Sequence, residues 1–172
     1  SIGLDHLDWL PENERTTKKI IFEKTSTLLN SNIIIAKQDS SEIVSEIKNS
    51  IEKNSSKKYF FNEDFNYSLN ENGFIYYEDK DGGIKLPIPK VKGQFQLENI
   101  STAIATLRSI EELKVSEKHI KDGITKIKSI ARLQEIGSGK LKELVKNNKL
   151  LVDGSHNPCL LYTSDAADDR NC

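Results

Sequence analysis

Four places in the sequence set side chains of chemical use beside backbone that can aim them. The first is Asp5-His6-Leu7-Asp8-Trp9, a histidine between two carboxylates just after Ile2-Gly3-Leu4. A neutral imidazole in a loop after a strand end can ligate a metal ion, although a lone histidine among carboxylates is also common surface decoration. The second is Lys24, with Ile20 four residues before it, Ile21 three before and Leu28 four after. Those offsets put an amine on the apolar stripe of its own helix, while Glu23 faces solvent with Lys19. Such a lysine either snorkels from the stripe's edge or is buried as a neutral amine, able to add carbon dioxide and become an anionic carbamate. The third is Arg132, whose planar fork suits a phosphate oxygen as readily as it suits solvent. The fourth is Asp153-Gly154-Ser155-His156-Asn157-Pro158, directly after an apolar run. There Asp153 could hold ribose hydroxyls and His156 could sit near phosphate; the same residues could equally be an Asp-Gly turn with Pro158 opening a helix.

Positioning these groups is the task of the surrounding elements. Residues 16–29 carry apolar side chains at helical spacing, and residues 32–36 form a short unbroken apolar run suited to a strand covered on both faces. A serine-capped helix follows, with Ile43, Val44, Ile47 and Ile51 on one stripe, and then a strand at 57–61. Strand, helix and strand within some thirty residues make a βαβ unit and hence a parallel sheet. After residue 62 the pattern becomes aromatic and β-branched, punctuated by Asn72-Gly73 and Asp81-Gly82-Gly83. Those hairpin signals predict a small antiparallel set at one edge of the sheet. Helices are predicted at 97–113 and, starting from Ser116, at 116–128. Near residue 130 a new unit begins: a short Arg-Leu-Gln-Glu-Ile strand, a helix over Lys140–Asn147, and Lys149–Asp153 as a buried strand. Residues 159–172 turn polar and lose periodicity, resembling translated sequencing adapter, and are set aside as artefactual.

Composition excludes several classes. Lys plus Arg number 25 and Asp plus Glu 26 in 172 residues, so there is no electrostatic footprint for nucleic acid or an acidic membrane surface. Two cysteines, Cys159 and Cys172, are too few and too lopsided for a disulfide framework. No apolar run approaches a membrane span, so a cytoplasmic soluble protein, expected as a monomer, is the default. Methionine is absent, which is ordinary for an internal piece of a longer chain.

Five motifs in order over residues 1–158 carry a more specific signal. Asp-His-Leu-Asp-Trp-Leu, Phe-Glu-Lys, Gly-Gln-Phe-Gln-Leu-Glu-Asn, Ala-Arg-Leu-Gln and Asp-Gly-Ser-His-Asn-Pro occur in the order and approximate spacing of folylpolyglutamate and dihydrofolate synthases. The chain resembles that family, part of the Mur ligase superfamily of ATP-dependent amide-forming enzymes. The resemblance implies an α/β fold: residues 1–129 as the C-terminal portion of a central ATPase domain, mostly parallel with an antiparallel edge. Residues 130–158 would then begin a Rossmann-like C-terminal glutamate-ligase domain. It further implies that His6 binds magnesium, that Lys24 is the carbamylated lysine, and that Asn99, Arg132, Asp153 and His156 hold ATP. Phe95 stands where the family usually has histidine, and Ala131 where it usually has glycine. The family's Gly-rich phosphate loop has no counterpart, since Gly137-Ser138-Gly139-Lys140 lacks its spacing. The expectation is therefore an internal fragment, inactive alone, of an enzyme joining L-glutamate to a folate or dihydropteroate. A peptidoglycan-type Mur ligase and a non-catalytic nucleotide-binding paralogue are the alternatives.

Overall fold

The computed structural model describes residues 1–3, 10–28, 31–70 and 73–154. A 3-10 turn at Glu12–Glu14 leads into helix α1 (Thr17–Thr25), whose first turn is capped where the Thr16 hydroxyl accepts the Lys19 N–H. Strand β1 (Ile33–Ile35), helix α2 (Ser41–Ser50) and strand β2 (Lys58–Phe60) follow, with Ser40 capping α2 through the Ile43 N–H. β1 and β2 pair in parallel, Ile34 opposite Tyr59, so the βαβ unit forms as the sequence predicts.

The two-residue period of a strand then divides the parallel pair between two cores. Ile33, Ile35 and Phe60 face α1 and α2, joining Ile21, Ile47 and Ile51. Ile34 and Tyr59, on the other face, pack against the second and larger cluster. That cluster is built by an antiparallel sheet of β3 (Phe65–Asn70), β4 (Phe74–Asp79) and β5 (Gly82–Leu86) with helices α3 (Gln94–Ser109) and α4 (Glu117–Lys126). Along β4 the alternation is clear: Ile75 and Tyr77 are buried, while Phe74, Tyr76 and Glu78 are exposed. The β4–β5 hairpin turns at Lys80-Asp81 and re-enters at Gly82, whose φ of 106° is natural only to glycine.

The three antiparallel strands form their own sheet instead of extending the edge of the parallel pair, and the cause lies just after β2. Asn62 takes a positive φ of 68°, and the Asp64 carboxylate accepts the Phe60 N–H at 2.6 Å. This tight reversal leaves a single bridge between Phe61 and Phe65 where a ladder would have continued. A polar pin fixes α3 to the sheet. Tyr77, fully buried, donates its hydroxyl to Asp79 at 2.9 Å, and the Arg108 Nε of α3 donates to the same carboxylate at 2.9 Å.

Residues 130–154 carry β6 (Gln134–Glu135), helix α5 (Lys140–Leu144) and β7 (Leu151–Val152). β7 pairs antiparallel with β6 over two residues. The buried strand expected there is not buried: Leu151 and Val152 are exposed, because a two-residue ladder has one partner strand and α5 leaves Leu141 and Leu144 in solvent instead of covering it. No helix among the described residues is long and apolar enough to cross a membrane.

Candidate functional site

The structure brings Arg132 and Asp153 together, and backbone hydrogen bonds do it. Asp153, just past β7, accepts the Leu133 N–H through Oδ2 at 2.6 Å. Gly154 donates its N–H to the Ala131 carbonyl at 2.7 Å. The Gln134 side chain accepts the Ala131 N–H at 3.0 Å. Arg132 is thus held on a loop stitched to the strand behind it. Gly154 eases that approach, since a Cβ there would stand 3.3 Å from the Ala131 carbonyl oxygen and push it back by a few tenths of an ångström.

Arg132 lines a cleft of about 400 Å³ between the segment before α3 and the segment after α4. Lys90, Lys92 and Lys128 line it too, against the single carboxylate of Glu135, which pairs with Lys92. The pair pulls the Glu135 carboxyl below the ordinary carboxylate range. The guanidinium of Arg132, half-buried, makes no ion pair with a described residue. Val91, Ile127 and Leu133 supply an apolar wall. A cleft with excess positive charge and one apolar side can take an anionic ligand with a flat apolar part.

The remaining sequence candidates are spread more widely. Asn99 is exposed on the second turn of α3, its side chain making no hydrogen bond to a described residue. One turn earlier Gln96 is buried and reaches Ser129 of the cleft at 3.5 Å, so α3 touches the same region. Lys24 is exposed, as the snorkelling alternative has it and not the buried one. The stripe that α1 turns toward α2 runs Ile21–Thr25–Leu28, with the Thr25 hydroxyl 2.6 Å from that of Ser50. Lys24 stands about 100° around the helix from Thr25. Its amine makes no hydrogen bond or ion pair with a described residue. The outward Lys19–Glu23 pair does form, at 3.0 Å. His6 and His156 lie outside the described residues.

A metal centre was expected at His6 and Lys24. Among the described residues no three His, Cys, Asp or Glu side chains converge on one point, so those residues make no metal site by themselves. Three features escaped the sequence reading. Lys90, Lys92 and Lys128 were visible only as scattered charge, and they meet because the ends of α3 and α4 do. Gln134 was quoted in a motif without a role. Lys37, just past the carboxyl end of β1, donates to Glu98, Asn99's neighbour, at 2.8 Å; that hydrogen bond raises the lysine's affinity for its proton. Lysine after a strand and glutamate in a helix gave no local signal of that meeting.

Mixed α/β architecture with a covered parallel pair, a separate antiparallel sheet and a cationic cleft is of the Mur-ligase type. Solved structures similar to it include folylpolyglutamate and dihydrofolate synthases. E. coli FolC in complex with DHPP and ADP matches at 27% identity and a TM-score of 0.73, over 92% of this chain and 34% of FolC. The bifunctional folylpolyglutamate synthase/dihydrofolate synthase of Yersinia pestis, complexed with AMPPNP and a Mn ion, matches at 24% identity and 0.71, over 92% and 34%. A folylpolyglutamate synthase of L. casei matches at 21% identity and 0.72, over 94% and 39%. The latter two speak to the fold alone. No family model matches the chain, and no curated protein matches it in sequence. The chain spans about a third of the length of FolC.

Proposed function

We propose that the protein to which this chain contributes is an ATP-dependent ligase that joins L-glutamate to a folate or dihydropteroate carboxylate. The observation that carries this reading is the likeness to E. coli FolC, a structure with DHPP and ADP, across 92% of the chain. In the reaction, the substrate carboxylate oxygen takes the γ-phosphoryl group and ADP leaves. The amine of glutamate then attacks the acyl carbon, phosphate leaves, and the amine gives up a proton. Arg132 offsets charge on the phosphates at the cationic cleft, where donors fixed in advance cost no reorganisation. Asn99, Asp153 and His156 hold the nucleotide. Magnesium is assigned to His6 and to Lys24 in its carbamate form. An exposed lysine 24 fits that assignment only if carbon dioxide adds to it once the neighbouring parts of the whole protein are in place. A cleft closed by a further domain would keep water from the acyl phosphate.

Glutamate-dependent ADP release by the full-length protein tests the reading, with dihydropteroate, folate and a peptidoglycan precursor as competing acceptors. Turnover with either pterin is expected. Turnover confined to the peptidoglycan precursor, or none with any acceptor, overturns it. Within an active enzyme, Lys24→Ala is expected to abolish turnover and to be partly rescued by a short-chain carboxylic acid; unaltered turnover in that variant returns Lys24 to a solvated surface role.

A further inference from the structure

Arg132 stands between two residues in an unusual backbone conformation. Ala131 has a φ of 52° and Leu133 a φ of 47°, both in the left-handed region that non-glycine residues avoid. Such conformations persist only where the surroundings over-determine them. Here each of three successive peptide units is tied down by one hydrogen bond. The unit before Ala131 gives its N–H to the Gln134 side chain. The unit between Ala131 and Arg132 accepts the Gly154 N–H through its carbonyl. The unit between Arg132 and Leu133 gives its N–H to the Asp153 carboxylate. The last is charge-assisted and short at 2.6 Å, the strongest kind in the set. The two side-chain acceptors come from two neighbouring segments, Gln134 from the following strand and Asp153 from the residue after the strand paired with it.

From this we infer that Asp153 and Gln134 are positioning residues for Arg132: together they hold its loop in the left-handed conformation that points the guanidinium along the cleft. The inference rests on the reading of Arg132 as a phosphate-facing residue, and it changes what Asp153 does. One of its carboxylate oxygens braces the arginine loop, so its effect on an anionic ligand travels through Arg132 even where the ligand has no ribose.

That last property separates the brace from a direct sugar contact. Three variants of the 172-residue chain decide it: Asp153→Ala, Asp153→Asn and Gln134→Ala. The readouts are amide hydrogen exchange at Ala131 and Leu133, the NMR resonance of the Arg132 Nε–H, and binding of inorganic tripolyphosphate and of ATP. In Asp153→Ala, exchange at Leu133 is expected to rise about tenfold or more, the loss of one charge-assisted hydrogen bond. The Arg132 resonance should shift, and tripolyphosphate and ATP should weaken by a similar factor. Asp153→Asn keeps an acceptor oxygen and should restore most of the exchange protection. Gln134→Ala should loosen Ala131 in the same way, while the resonances of buried Tyr77 report that the fold is intact. Unaltered Leu133 exchange together with an unmoved Arg132 resonance in Asp153→Ala overturns the proposal, as does weakening of ATP with tripolyphosphate unaffected. If Arg132→Ala leaves tripolyphosphate binding unchanged, the phosphate-facing reading of Arg132 fails, and the exchange and resonance measurements still decide the brace.

Discussion

The antiparallel sheet with α3 and the loop segment after residue 130 are held by different physics. Tyr77, Ile75, Leu86 and Ile104 are removed from water almost completely, and the one polar group among them, the Tyr77 hydroxyl, is matched by Asp79. In the later segment Leu141, Leu144, Leu151 and Ile130 stay in solvent, and order comes from backbone hydrogen bonds to Gln134, Asp153 and Gly154. A core pays for its order with area removed from water. The loop carrying Arg132 has directional bonds in place of apolar burial, which leaves the Arg132 side chain half-exposed on the cleft wall. Substitutions should therefore act on stability in the first region and on local geometry in the second.

The largest effect is expected at Tyr77. Replacing it by alanine removes a fully buried aromatic ring from the sheet–helix interface and takes one of three donors from Asp79, leaving Arg108 and the Asp81 N–H. A loss of about 3–5 kcal/mol is typical of such a cavity. Thermal or urea unfolding of the 172-residue chain measures it. A loss below about 1 kcal/mol would dissolve the contrast between the two regions.

How much of this was legible in the sequence follows the same division. β1, α2 and β2 were readable because apolar period and serine caps are local signals, and Ser40 and Ser116 do cap as expected. The alternation of Ile75 and Tyr77 and the hairpin at Gly82 were readable for the same reason. The separate antiparallel sheet was not, since it depends on one side-chain bond from Asp64 and the positive φ of Asn62. For Lys24 the offsets from Ile20 and Leu28 left exposure and burial both open, and only the packing of α1 against α2, through Ile21, Thr25 and Leu28, decides for exposure. At the candidate site, Arg132 and Asp153 were legible as residue types. Their joining was not, because twenty residues and an antiparallel pairing separate them.

A gentler change sharpens the core side of the comparison. Tyr77→Phe keeps the ring and deletes the hydroxyl, and about 1.5–3 kcal/mol is expected for one hydrogen bond to a carboxylate. The pH dependence is more telling. Burial first, and then the hydrogen bond and charge of Asp79, push the Tyr77 phenol well above its ordinary range. The folded state therefore keeps this proton while the unfolded phenol ionises near pH 10. The stability it contributes is fully present below that pH and is lost as pH rises above it. Wild type should lose stability more steeply than Tyr77→Phe between roughly pH 10 and 11, in urea titrations at each pH. Parallel curves for the two proteins would mean that the phenol is solvated after all.

On the loop side, Ala131→Gly is expected to move stability the other way. Glycine accepts a φ of 52° without the steric cost that alanine bears, about 1–2 kcal/mol. It also loses more chain entropy on folding, about 0.5–1 kcal/mol, so the net gain is about 0.5–1 kcal/mol. Amide exchange at Leu133 should stay protected, since Asp153 still accepts that N–H. A melting temperature lowered by this substitution would show that the left-handed conformation at Ala131 is not strained.

The smallest effect tests whether the exposed leucines of α5 contribute to the fold of this chain. Leu144 is 77% exposed at the carboxyl end of a five-residue helix, and its side chain belongs to neither apolar cluster. With so little area removed from water, Leu144→Ser forfeits almost no transfer free energy, and less than about 0.5 kcal/mol is expected. Serine's lower helix propensity adds a few tenths at most. The comparison with Tyr77→Ala is then a several-fold difference between two single substitutions in one chain. Urea midpoints for both variants, recorded with the same buffer and slope, give that difference directly. A Leu144→Ser loss approaching that of a core leucine would mean that this side chain is covered in solution, and would move α5 from the loop-like region to the packed one.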